Sequence, residues 1–453
     1  MKPGTTRPGA MLFWTAMAAM VAVSAPDAQP GAPGKHWVAT WGTAQQSYRA
    51  PAATAGPTAA PASAPAAAAA APTPPTSGAR VPARRYGIPP PLAGVENQTI
   101  RMIVRSSLGG EQVRVRLSQA YGAPSVTLGA AHVAIRASGA GVVPASDRAL
   151  TFSGQPTATV YAGQTLISDP VRLSVPPLTD LAVSLYFPGE TGPPTSHTFG
   201  LRPAYLAPGN VADRADFAAS GPPLESYYWL TGMDVLAPAS SGTLVAFGDS
   251  ITDGDQSTPD TSGAWPSVLA TRLQGSKATA GVAVVNAGIS GNRLLGDNGS
   301  GLARVMRDAL SVPGVRWMTL LEGINDITAA TRSGQAGTAF TAGTLIAGYR
   351  QIIETAHLHG VKVIGCTLTP YGESNVFTAE GERIRQAANA WIRSSRAFDA
   401  VFDFDAATRD PANPARFRRE ADSPDMLHPA NPGYALMAGA IDLSVLTRPG
   451  RVP

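Results

Sequence analysis

The chain has 453 residues, 44% hydrophobic and 15% charged, which is long enough for two domains and apolar enough for a large core. Its net charge is only +4, lysine is rare, and the pair Arg418-Arg419 is followed at once by Glu420 and Asp422, so no dense basic run supports nucleic-acid binding. The single cysteine, Cys366, excludes an intrachain disulfide.

In chain order, the first predicted element is a targeting segment. Lys2 and Arg7 precede an apolar run from Ala10 to Val23, and the small residues Ser24, Ala25 and Ala28 follow. The run is too short to span a membrane, so residues 1–28 are read as a secretory signal peptide. No later stretch is apolar and long enough for a membrane anchor. His36-Trp37-Val38-Ala39-Thr40-Trp41-Gly42 then alternates like a strand. Residues 50–93 are dominated by Ala, Pro, Thr and Ser and offer little to a core. This stretch reads as an insertion between two ordered pieces, with a linker after a tail as the other reading.

From Gln98 to about Leu236 the pattern is strand after strand, at 100–104, 112–117, 126–128, 131–135, 157–161 and 181–187. Residues 36–236 are therefore expected to form an all-β sandwich or jelly-roll-like domain. From about Ser241 the rhythm changes. Apolar strands at 243–248, 282–286, 317–322, 361–367 and 400–404 alternate with helices at 263–273, 302–309, 340–358, 380–397 and 432–446. That alternation predicts an α/β domain with a doubly wound parallel sheet over 241–449. Cys366 falls in one of its strands as a small core hydrophobe.

Four segments carry candidate chemistry. Phe247-Gly248-Asp249-Ser250-Ile251-Thr252-Asp253-Gly254 places a serine where a parallel strand ends, the edge at which open α/β sheets bind ligands. Asn286-Ala287-Gly288-Ile289-Ser290-Gly291-Asn292 and Glu322-Gly323-Ile324-Asn325-Asp326 each follow a later strand, and Asp425-Met426-Leu427-His428-Pro429 precedes the last helix. A serine hydroxyl needs a neighbouring base, and the three-residue spacing lets His428 and Asp425 meet within one turn of chain. The alternative is a surface Asp–His pair at a helix start, with Asn431 as N-cap. Asp249 and Asp326 are expected to hold loops, and Asn292 to line the pocket or serve as a turn residue. His132, His197, His357 and His359 have no role in this reading. The aromatic run Tyr227-Tyr228-Trp229 reads as core, with sugar stacking as the minority use.

In the order and content of these segments the C-terminal half resembles the GDSL (SGNH) hydrolase family. The resemblance implies a three-layer flavodoxin-like domain, a serine esterase activity with Ser250, His428 and Asp425 as the triad, and an oxyanion hole from the N–H groups of Ser250 and Gly288 and the side chain of Asn325. A plain turn at Gly288 and a helix N-cap at Asn325 are the competing readings. The implied substrates are acylated carbohydrates or small lipid and aryl esters. No His/Asp/Glu spacing matches a metal site and no glycine loop carries a phosphate-binding lysine, so neither metal nor cofactor is expected. An acyltransferase with the same site and a secreted binding protein with a degenerate hydrolase domain are the alternatives. The pattern fixes no oligomeric state.

Overall fold

The computed structural model describes residues 34–47 and 92–447 apart from 123 and 298, together with residues 1 and 4. Nearly all of the expected signal segment and of the 50–93 stretch lie outside the described residues.

The C-terminal half is an α/β domain. Its five-stranded sheet runs in the spatial order Val282–Gly288, Gly242–Gly248, Val315–Leu321, Lys362–Cys366, Ala400–Phe402, with every pairing parallel. Numbered along the chain this is 2-1-3-4-5, so the direction of winding reverses beside the Gly242 strand. All seven residues of that strand are buried, as the apolar run of a strand covered on both faces requires. The register pairs Gly248 with both Gly288 and Leu321, so the loops after three strands leave from one edge.

The helices form two packing groups. Trp265–Gln274 contacts Asn431–Gly439, which contacts Phe404–Thr408, with the Trp265 and Phe404 rings 5.3 Å apart. Ala342–Leu358 packs on Ala379–Ser394, where Tyr349 and Trp391 stack at 6.1 Å. Local chemistry sets their ends. Thr341 and Thr344 form a capping box for the first of this pair, and Thr378 caps the second. A helix over Ile324–Arg332 was not among the expected elements.

The N-terminal half is β-rich. One antiparallel sheet orders Lys35–Gly42, Leu230–Pro238, Gly110–Ser118 and Val171–Val175, and a second orders Ala204–Pro208, Gln98–Arg105, Asp180–Phe187, Ala130–Ser138 and Gly141–Val142. Val113, Val115 and Val235 of the first share one apolar cluster with Met102, Val104 and Val183 of the second. Tyr227, Tyr228 and Trp229 are buried in that cluster, which agrees with the core reading. The Gln98 strand is buried on both faces rather than one. Its Arg101 lies 4.5 Å from the Phe217 ring and donates to Ser184 and to the carbonyls of Ala140, Ala212 and Arg214.

The two halves are joined by backbone bonds as well as side chains. Ala39 N–H donates to Pro313 C=O at 2.9 Å, and the buried Thr243 hydroxyl lies 3.0 Å from the carbonyls of Ala39 and Pro313. Ser107 Oγ accepts from Val284 N–H at 2.9 Å and donates to Thr40 C=O at 2.6 Å, which satisfies a polar group on the edge strand of the parallel sheet. Among the described residues no helix is long and apolar enough to cross a membrane.

Thr243→Val keeps the shape and deletes the hydroxyl. Leaving the buried carbonyls short of a donor is expected to cost about 1–3 kcal/mol in urea denaturation. An unchanged midpoint would show that this seam does not depend on the hydroxyl.

Candidate active site

Ser250 opens the four-residue helix Ser250–Asp253 directly after the Gly242 strand. Asp249 caps it by accepting from Ile251 N–H, and Gly254, at φ +111°, ends it in a conformation that suits glycine. The helix is short because both punctuating residues are in the motif itself.

His428 reaches the same point from the far end of the chain. Its Nε2 lies 2.8 Å from Ser250 Oγ, and its Nδ1 lies 2.7 Å from Asp425 Oδ2. A carboxylate only accepts, so Nδ1 carries the proton and Nε2 presents its lone pair to the serine hydroxyl. Asp425 Oδ1 accepts the N–H groups of Leu427 and His428 and the hydroxyl of Ser423. The tight turn between Asp425 and His428 is made by Met426 at φ +56°. Ser250 is 5% and His428 8% exposed, so the pair is largely shielded from water.

Burial alone would lower the His428 pKa. Hydrogen bonding to Asp425 and the charges of Asp255, Asp425 and Asp249 outweigh it and raise it above the ordinary imidazole value. For Asp425, burial is likewise outweighed, by the bonds and charge of His428 and by backbone N–H donors, and its pKa lies well below the usual carboxylate range. Asp255 Oδ2 stands 3.8 Å from His428 Nε2, and burial raises its own pKa.

The surrounding loops are held from beneath by one buried guanidinium. Arg304 donates to Gly248 C=O and Ala287 C=O at 2.8 Å, to Asn292 Oδ1 at 2.8 Å and to Glu322 Oε1 at 3.1 Å, with its plane over the Phe247 ring. It thereby joins two neighbouring strand ends to the loop that follows. Burial raises the pKa of Asp249 to about 7 and that of Glu322 well up, favouring their neutral forms. Asp326 accepts from the N–H groups of Leu294 and Leu295, a loop-holding role like that of Asp249.

The expected oxyanion donors need one correction. Gly288 N–H is taken by Asn286 Oδ1 at 2.9 Å, so it is not free for a substrate. Glycine is required at 288 for close approach: a Cβ there would collide with the backbone of Thr252 and Asp253. Gly291, three residues on, has no hydrogen bond to its N–H among the described residues and lies at φ +78°, where a Cβ would meet no neighbouring atom. Asn325 sits in the first turn of Ile324–Arg332, whose N-cap is Gly323, so it is not the cap. One Nδ2–H of Asn325 donates to Asn292 C=O at 2.9 Å, leaving the other. The Asn292 side chain accepts from Arg304 and donates to Gly299 C=O, so it ties the loop to the buried guanidinium. Asn431 is not a cap either; its side chain binds Thr258. Among the described residues no cluster of three or more His, Cys, Asp or Glu side chains could hold a metal ion.

Sequence reasoning passed over His197. It is buried and pairs through Nε2 with Asp253 Oδ1 at 3.0 Å, immediately behind the serine helix. The sequence offered no signal for this contact, because the partners belong to different halves.

The model of the GDSL-like lipase/acylhydrolase family matches residues 246–436. Residues 246–436 are a GDSL-like lipase/acylhydrolase domain. The chain is therefore a carboxylic ester hydrolase. Among solved structures it is similar to a lipolytic protein of the G-D-S-L family from Desulfitobacterium hafniense, at 21% identity over 46% of this chain and 100% of that one, with a TM-score of 0.34. It is also similar to an acetyl xylan esterase, at 22% identity over 44% and 96% of the two chains, TM-score 0.34. A third is an acetyl-xylooligosaccharide esterase variant from Geobacillus, at 25% identity over 44% and 92%, TM-score 0.34. No curated protein matches the chain.

With His428 proposed as the base, the sign of its pKa shift predicts a pH dependence for hydrolysis. A base works only when neutral, so a raised pKa moves the acid limb of kcat/KM to higher pH, with an apparent value above about 6.5. Asp425→Asn removes the attraction, so the limb should move down. It should also lower kcat, on the order of 10³–10⁴-fold, because an amide donor favours the wrong tautomer. A wild-type limb below the ordinary imidazole value, or one unmoved by the substitution, would contradict the assignment.

Proposed function

We propose that this chain is an exported serine esterase that hydrolyses short-chain carboxylic esters, acylated carbohydrates among them, through a covalent acyl-enzyme. The observation that carries this reading is the unbroken hydrogen-bonded line from Asp425 through His428 to Ser250, at 2.7 and 2.8 Å. Ser250 Oγ attacks the ester carbonyl carbon while its proton passes to His428 Nε2. Asp425 stabilises the imidazolium that forms. The negative oxygen of the tetrahedral intermediate is met by the N–H groups of Ser250 and Gly291 and the free N–H of Asn325, all neutral donors that do not titrate. Collapse breaks the ester C–O bond, and the leaving alcohol takes the proton from His428. Water then adds to the acyl carbon, gives its proton to His428, and the carboxylic acid leaves as Ser250 Oγ regains a proton. The limited exposure of Ser250 favours a small acyl group.

The strand order 2-1-3-4-5 supports the three-layer flavodoxin-like form of the hydrolase domain over 241–449. The sandwich over 36–236, with residues 50–93 as an insertion, is supported by the chain on both sides of that stretch. Lys35–Gly42 pairs with Leu230–Pro238, and Leu92 packs on the same apolar cluster. Export rests on the N-terminal sequence pattern at Lys2, Arg7 and residues 10–23.

Ser250→Ala is the direct test. It deletes one oxygen at the surface of a preformed helix, so the melting temperature should stay within a few degrees. Turnover of 4-nitrophenyl acetate should fall on the order of 10⁴-fold or more. A variant that keeps more than a few per cent of the wild-type kcat would remove Ser250 from the mechanism.

A further inference from the structure

The antiparallel half places one buried side chain behind the nucleophile helix. His197 lies in the short strand Ser196–His197, which pairs with Tyr227–Tyr228, and its ring stacks near Tyr227. The residue is 4% exposed. Its Nδ1 lies 3.0 Å from Ala44 C=O and its Nε2 3.0 Å from Asp253 Oδ1. A carbonyl oxygen only accepts, and so does an ionised carboxylate, so both ring nitrogens donate and His197 is an imidazolium. Burial works against that charge, but the Asp253 carboxylate outweighs it and the pKa is raised.

Asp253 has a second set of partners. Its Oδ2 accepts both the N–H and the hydroxyl of Ser290, each at 2.8 Å. Ser290 is bonded directly to Gly291, and the peptide joining them carries the Gly291 N–H. The next contacts hold the same loop from its other side: Asn286 donates to Thr252 C=O and Asp253 C=O, and Ile289 N–H donates to Gly248 C=O. A charged side chain from the β half is thus two hydrogen-bonded steps from the peptide that carries the Gly291 N–H, a donor without a partner among the described residues.

We propose that His197 is a positioning residue for ester hydrolysis: by holding Asp253 in place it fixes the Ser290–Gly291 peptide, so that Gly291 N–H stays aimed at the oxyanion. This rests on the proposed oxyanion role of Gly291. Without His197, Asp253 would be a buried carboxylate lacking its charged partner. It would lose the contact that holds its Oδ1 and be free to turn, which weakens its grip on Ser290. A preorganised donor contributes most in the transition state, so the loss falls on kcat and not on KM.

The test uses two amides of different reach in the full chain. In His197→Gln the side-chain nitrogen falls near the position of Nε2 and can donate to Asp253. In His197→Asn it falls near Nδ1 and can donate only towards Ala44 C=O. Rates on 4-nitrophenyl acetate are normalised to sites titrated with a serine-directed phosphonate. The expected result is a kcat lower by about 10–100-fold in His197→Asn, with KM within about twofold, and recovery of most of that loss in His197→Gln. Equal losses in the two variants, a loss confined to KM, or an unchanged kcat in His197→Asn would each overturn the inference. If neither variant accumulates as folded protein, Ser290→Ala tests the other end of the link. It keeps the N–H and removes the hydroxyl bond to Asp253, and the same kcat-only loss is expected; an unchanged kcat overturns the proposal. Wild-type enzyme that the phosphonate does not label would instead count against the serine mechanism itself, which keeps the two failures apart.

Discussion

Three parallel strands end together, and the chemistry of this chain depends on that alignment. Gly248 stands level with Gly288 on one side and Leu321 on the other, so the segments carrying Ser250, Gly291 and Asn325 start from a common line. Backbone ladders alone leave carbonyls at such an edge unpaired. Here Arg304 takes two of them, Gly248 and Ala287, and anchors itself on Glu322. One buried cation therefore does for the strand ends what the ladder does for their middles. The carboxyls around it shift towards their neutral forms because burial penalises a surplus of negative charge.

The β half reaches this arrangement from the opposite side. Its first strand is bonded to the sheet's lower end through Ala39 and Thr243, Ser107 covers a polar group of the outer strand, and His197 supports the serine helix. These contacts run from one end of the Gly242 strand to the other. A hydrolase domain cut free at Ser241 would expose the Val282 edge and leave Asp253 without its charged neighbour. The β half is thus part of the frame of the site as well as a neighbour to it.

Much of this was readable because buried parallel strands are apolar runs, and each of the five was visible before the structure. The Asp425–His428 spacing was legible for a similar reason: the two residues need only one local turn to meet, and Met426 provides it. What was not legible depends on partners distant in sequence or on single hydrogen bonds. Leu230–Pro238 was missing from the expected strands because Gly232 and Asp234 interrupt its apolar pattern; the structure buries Asp234 between Arg114 and Arg116. Choosing between Gly288 and Gly291 required knowing which N–H the Asn286 side chain captures. A helix at Ile324 entered the sequence reading only as the competing role of Asn325, as its N-cap; the structure starts the helix earlier, with Gly323 at the cap. His197 was given no role, since nothing local marks a histidine whose partner arrives from the other half of the chain.

The central claim is that the acyl group passes through Ser250. Mixing wild-type protein with 4-nitrophenyl acetate, quenching in acid within the first turnovers and mapping the digest by mass spectrometry tests it directly. The account predicts one acetyl group, on the peptide that contains Ser250. Turnover that proceeds with no adduct at any quench time, or an adduct on a different residue, would contradict it.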